Sequence, residues 1–198
     1  LLLLITLVWL PGGNAQDSNR ILRAAIDQEP TSLNPYLTVQ QAAYNFIDLY
    51  LLRPWLVNDE ITYSPILVDA LPTEVDGAIG VNDEGQSVVS FTLSERAVWS
   101  DGTPMSAADF IFPFEVANDG LSNFSNTTFN SIANVEEGMS AQEVVVTFAA
   151  FNPDWQDAGF YPLPEHVLRE PYDAAVANGT GLDTLDWNLA PTVANGPF

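Results

Sequence analysis

The side chains able to do chemistry are unevenly supplied in these 198 residues. There is one histidine (His166), no lysine and no cysteine. The basic residues are five arginines, Arg20, Arg23, Arg53, Arg96 and Arg169, against 26 Asp and Glu, a formal net charge of −21. A Ser-His-Asp triad would have to run through His166, which follows Pro164-Glu165 in a helix-start context with no Gly-x-Ser-x-Gly elbow in the chain. A helix-surface or capping role suits this histidine better. Without cysteine there is no thiol nucleophile, disulfide, thiolate metal site or lipid-carrying cysteine in these residues. Without lysine there is no Schiff base and no P-loop cation. Zinc needs three or four His, Cys or carboxylate ligands converging. Asn58-Asp59-Glu60 and Asn82-Asp83-Glu84-Gly85 are too short for a calcium cage and read as hairpin turns. Glu136 and Glu137, adjacent on a strand, would point apart and make no acid pair. No metal and no cofactor is expected. The acid excess excludes nucleic acid, which demands a basic stripe. Binding is favoured over turnover, although carboxylates drawn from distant positions leave a glycan hydrolase open.

The elements that would carry these groups follow from spacing and punctuation. The run at 21–26 (Ile-Leu-Arg-Ala-Ala-Ile) fits a buried strand. Thr38 and Gln41 fit a capping box, and Ala43, Phe46, Ile47, Tyr50 and Leu51 then recur on one helical face up to Arg53-Pro54. Residues 86–93 alternate and form the return strand of a hairpin through Asn82–Gly85. Ser100-Asp101-Gly102-Thr103-Pro104 is a second turn. Ser106 and Asp109 open another capped helix, in which Pro113 predicts a kink or an early stop. Residues 121–134 read as a loop, 143–148 as the clearest strand, 164–168 as a short helix and 172–177 as a separate helical patch. The pattern is α+β, strand-dominated from about 60 to 150.

Both ends read as cut from a longer chain. Residues 1–10 are apolar and would span only about 15 Å as a helix, half a bilayer core. Pro11-Gly12-Gly13 and the small residues Gly13 and Ala15 follow, as in the last parts of a secretory signal, so 1–15 is expected to be a signal remnant. A buried strand or short core helix is the alternative. At the other end Asn195-Gly196-Pro197 is a turn leading into a strand at Phe198.

Four segments carry a family resemblance. Leu22 to Pro35, with Pro30-Thr31-Ser32-Leu33-Asn34-Pro35, resembles the mature N-terminus of peptide/nickel-type extracellular solute-binding proteins of ABC importers (family 5). Trp99-Ser100-Asp101-Gly102-Thr103-Pro104 with Ser106, Ala107 and Asp109 resembles that family's Trp-x-Asp-Gly-Thr-Pro-x-[Thr/Ser]-Ala-x-Asp run. Leu163-Pro164-Glu165-His166-Val167-Leu168 and Asn195-Gly196-Pro197-Phe198 look like two further motifs of the family. Pro113 and the loosely matching stretch 51–72 depart from the pattern.

The resemblance implies an α/β, class II periplasmic-binding-protein fold with two lobes that close on a ligand by hinge motion. On that scheme residues 16–51 start lobe I, 52–187 form an inserted α+β, strand-rich subdomain, 188–198 return to lobe I, and the second lobe lies outside the chain. The implied function is capture of peptides or similar small solutes outside the cytoplasmic membrane, as a periplasmic or extracellular monomer, and delivery to membrane-bound ABC permease subunits. A secreted carboxylate-dependent glycan hydrolase and an adhesion or assembly module are the other readings. Trp99, Asp101, Gly102 and Asp109 are read as structural: a turn, a buried ring beneath it and a capped helix. The ligand-lining candidates are Tyr36, Thr38, Val39, Gln40 and Gln41, which lie after the first strand at a helix N-terminus. The alternative for these five is that they only start the helix. The acid-rich, lysine-free surface suits high salt, and genomic base composition would produce the same lysine loss.

Overall fold

A computed structural model of the chain describes residues 28–124 and 127–197. The strand expected at 21–26 and the export segment at 1–15 lie outside the described residues.

Two hairpins are built by asparagine. β1 (Trp55–Val57) and β2 (Tyr63–Pro65) pair antiparallel. Their turn is held by Asn58, whose Oδ1 accepts from the Glu60 and Thr62 N–H groups, both at 3.0 Å. β3 (Ile79–Val81) and β4 (Ser87–Thr92) repeat the device. There Asn82 Oδ1 accepts from Glu84 N at 3.1 Å and Gln86 N at 2.9 Å, and Gly85 takes the positive φ of +79° that the turn needs. β4 continues into a four-stranded antiparallel sheet in the order β3-β4-β6-β5, with β5 at Ile132–Glu137 and β6 at Glu143–Phe148. Alternation sends Val89 and Phe91 of β4, and Val144, Val146 and Phe148 of β6, into the core. A bulge between Ile132 and Asn134 rephases β5, so that Ile132 and Val135, three apart, both face inward.

β5 corrects the expected loop at 121–134. The Ser, Asn and Thr of that stretch conceal a 3₁₀ turn at Thr128–Ser131 and the start of a strand. Buried Phe129 and Ile132, together with the open edge of β6, outweigh local composition.

The helices correct three further expectations. α1 (Gln41–Tyr50) begins three residues after Thr38, without the capping box. The Thr38 hydroxyl accepts from Gln40 N at 3.1 Å within its own turn, and the Gln41 amide reaches forward to Asn45 at 3.3 Å. The helix takes Gln40 as its N-cap, so Thr38 stands two residues too early to cap it. α2 (Ala108–Ala117) continues past Pro113, so the early stop does not occur. Proline lacks the N–H that would bond to the carbonyl four residues back, at Asp109. That carbonyl instead accepts Leu163 N at 2.9 Å, so the missing donor leaves no orphan and the helix continues. α3 (Glu165–Ala177) joins the two expected helical pieces through Pro171. Leu168, Tyr172 and Ala175 fall on one buried face, and Arg169 bridges Glu165 in its own helix and Glu115 of α2.

One core collects Tyr36, Ile47 and Leu51 from the first part, Trp99, Phe110 and Phe112 from the middle, and Leu182, Trp187 and Val193 from the last. Three asparagines tie its distant ends. Buried Asn34 donates to Asn188 Oδ1 at 2.9 Å, while Leu33 N donates to Asn188 O at 2.7 Å. Asn195 treats Leu52 as a strand partner, accepting from its N at 2.7 Å and donating to its O at 3.2 Å.

Candidate functional site

Two constellations gather the polar and aromatic groups. The first is the turn at 100–104. Trp99 N donates to Thr103 O and Gly102 N to Trp99 O, each at 2.8 Å, with Gly102 at φ +90°. Only glycine adopts that conformation without strain. Asp101 Oδ1 accepts Thr103 N at 2.9 Å, and Oδ2 faces His166 Nε2 at 2.8 Å. Trp99 lies buried beneath the turn, its indole N–H on Asp109 Oδ2 at 3.2 Å. Asp109 also accepts from Ser106 N at 2.9 Å and Glu165 N at 3.0 Å. The Ser106 bond is the reach-back half of the expected capping box. The groups are spent on one another, which joins turn, α2 and α3 into one piece.

The two acids of this cluster are driven in opposite directions. The Thr103 N–H and then His166 hold the Asp101 carboxyl down at about 2. Burial pushes Asp109 up, against the pull of its three donors. For Asp101 the folded value lies below the ordinary 3.8, so its stabilisation is present above about pH 4 and is lost as pH falls through about 2. Asp101→Asn is therefore expected to show its full deficit in urea midpoint at pH 5 and above. The gap to the parent protein should close between about pH 4 and 2. A gap that stays constant over that range would mean Asp101 contributes nothing through its charge.

The second constellation is a cleft of about 520 Å³ whose walls include Tyr36, Arg53, Trp55, Tyr63 and Tyr161. Trp55 is fixed at its base. Its indole N–H donates to Gln156 O at 3.1 Å, and its ring meets Phe91 and Trp155 edge-on, both at 5.2 Å. Tyr36 is buried, stacks on Phe124 at 5.1 Å and donates its hydroxyl to the Tyr161 carbonyl. The Tyr161 hydroxyl in turn donates to Asp48. Burial pushes both tyrosine hydroxyls up, so both are neutral donors. The Arg53 guanidinium lies over the Tyr161 ring, 5.0 Å from its centroid. Such a surface offers stacking, hydroxyl and guanidinium contacts, suited to holding a small polar solute. Among the described residues no three His, Cys, Asp or Glu stand together as a metal site.

Of the five ligand-lining candidates, Tyr36 alone reaches this cleft wall. Thr38 is buried behind it in the chain, bonded to its own turn. Val39 is 72% exposed, Gln40 accepts from Thr31 N at 2.9 Å, and Gln41 stands exposed at the start of α1. Arg53, Trp55, Tyr63 and Tyr161 were not legible as a group. Arg53 reads in sequence as a helix end before proline, and Tyr161 is over a hundred positions away. The one available signal was the pairing of a rare arginine with a nearby tryptophan.

The family model described as bacterial extracellular solute-binding proteins, family 5 Middle, matches residues 53–198. The oligopeptide-binding protein OppA of Mycobacterium bovis is 33% identical over 72 residues, which is 35% of this chain and 12% of that protein; its Mycobacterium tuberculosis counterpart gives the same figures. Among solved structures, the oligopeptide-binding protein of Thermus thermophilus, complexed with a pentapeptide, superposes with a TM-score of 0.71 at 21% identity. That match covers 86% of this chain and 33% of the other. NikZ of Campylobacter jejuni, in complex with Ni(L-His), superposes with a TM-score of 0.65 at 21% identity, covering 87% and 31%. The fold is part of a class II periplasmic-binding-protein fold, and the chain spans 12% of the length of the curated relatives it matches.

Proposed function

This chain belongs to the bacterial extracellular solute-binding proteins of family 5, and on that premise we propose that it is part of the solute-capturing component of an ABC importer. The whole protein takes up peptides or similar small solutes outside the cytoplasmic membrane, as an exported monomer, and presents them to permease subunits in the membrane. It binds and releases its cargo without chemical turnover. The observation that carries this reading is the family match over 53–198, and it is supported by the fold shared with proteins solved with a pentapeptide and with Ni(L-His).

Residues 16–51 begin lobe I, 52–187 are its inserted subdomain and 188–198 return to it. The meeting of Leu52 with Asn195 supports that division, because the side-chain amide of the returning segment bonds the backbone of the outgoing one. The second lobe belongs to the remainder of the protein and covers the ligand when the hinge closes. Tyr36 serves as a cleft wall, exposed Val39 and Gln41 and half-buried Gln40 as contacts at the start of α1, and Thr38 as their support.

The test is a thermal-shift and calorimetric screen of the full-length protein against di- to oligopeptides, sugars and nickel complexes. Stabilisation by a peptide class is the expected outcome, since a ligand that binds only the folded state raises its midpoint. No response to any class would overturn the reading.

A further inference from the structure

Arg53 is the unmatched group of the cleft. Arg96 pairs with Asp69 at 3.1 Å, and Arg169 bridges Glu115 at 2.7 Å and Glu165 at 2.8 Å. Among the described residues Arg53 alone of these three arginines has no carboxylate partner, in a chain with 26 acids to choose from. Its Nε is buried and has no hydrogen-bond partner. Asp157, the acid on the cleft lining, takes a hydrogen bond from Asn152 at 3.4 Å and makes no ion pair with Arg53. A buried charged donor left open costs stability, and it is tolerated where something else supplies the acceptor.

The geometry suits an incoming anion. The Tyr161 ring supports one face of the guanidinium, and Arg53 lines the cleft. Two guanidinium N–H groups match the two oxygens of a carboxylate. Arg53 is half-buried on the cleft lining, so its charge is less screened than that of a fully exposed arginine such as Arg96. The −21 charge of the chain repels anions at a distance, so an acidic solute would be held by this one contact rather than by the general field.

We propose that Arg53 anchors a carboxylate of the captured solute in the cleft walled by Tyr36, Trp55, Tyr63 and Tyr161. The proposal rests on the solute-capture reading and adds the chemical class that the site selects.

Calorimetric titrations of the full-length protein would use alanine di- to pentapeptides with free carboxyl termini, the same peptides as C-terminal amides, and succinate beside succinamide. The acid form of the responding probe is expected to bind about tenfold to a hundredfold tighter than its amide. Preference within the peptide pair places the carboxylate on a peptide; preference within the succinate pair alone places it on an organic acid. Arg53→Gln should abolish the preference, and Arg53→Lys should keep part of it, because a lysine holds the charge without the fork. If Arg53→Gln does not fold, the acid-to-amide ratio of the parent and its fall in Arg53→Lys decide alone. Equal affinity for acids and amides would overturn the anchor and leave solute capture standing. A preference that survives Arg53→Gln would also overturn it. Absence of binding by every one of these probes overturns the anchor, and solute capture is then decided by the wider screen of peptides, sugars and nickel complexes.

Discussion

Gly159→Ala is expected to destabilise the protein by about 3 kcal/mol, lowering its thermal midpoint by roughly 10 °C. A Cβ at this position would stand 2.3 Å from Trp55 Cε2 and 2.4 Å from Trp55 Nε1. Glycine is required here by proximity, not by conformation, since its φ is an ordinary −87°. The indole cannot step aside. Phe91 and Trp155 hold its edges, Gln156 O holds its N–H, and the ring is only 2% exposed. Cores that receive an extra methyl answer with shifted rotamers and backbone, and a ring pinned at three places gives least. Because Trp55 also walls the cleft, the same substitution should weaken capture of whichever probe responds. Unfolding of the full-length protein followed by tryptophan emission reads the first effect. A midpoint within about 2 °C of the parent would show that the indole yields.

Asp109→Ala is expected to cost more, about 4 kcal/mol, because it orphans three donors at once. Trp99 Nε1, Ser106 N and Glu165 N all end on this carboxylate, which is itself 3% exposed. Asp109→Asn should fall between the two proteins. An amide has one acceptor oxygen, so its NH₂ must face either Glu165 N–H or the pair from Trp99 and Ser106. A double-mutant cycle separates the bonds. In a Trp99→Phe background one donor is already gone, so the loss on Asp109→Ala should be smaller there by about 1 kcal/mol. Additive losses would mean that the indole N–H gains nothing from Asp109.

Short-range chemistry was the legible part of the sequence. Asn58 and Asn82 announce their hairpins because a side-chain amide closes a turn within a few residues. Strand β6 announces itself through four consecutive β-branched residues, Val144 to Thr147. The family resemblance rested on the same kind of local signal, in the run from Trp99 to Asp109. What was hidden depended on distant partners. Pro113 reads as a helix breaker until Leu163, fifty positions on, takes up the Asp109 carbonyl. The loop at 121–134 becomes a strand only because β6 offers an edge. The cleft was hidden for the same reason, since Tyr36, Arg53 and Tyr161 meet only after the chain has folded.

The asparagine contacts at the ends of the chain bear on how it folds in time. The hairpins close over a few residues and can form as soon as they exist. The Leu52–Asn195 and Asn34–Asn188 bonds span 143 and 154 positions, so their loop-closure cost falls due late. Until residues 188–195 have been synthesised, the segment from Ser32 to Tyr36 has no partner amide to dock on. A growing chain thus holds its first part unassembled until the last arrives. For the export proposed above, such a delay would keep the chain loosely assembled while it crosses the membrane.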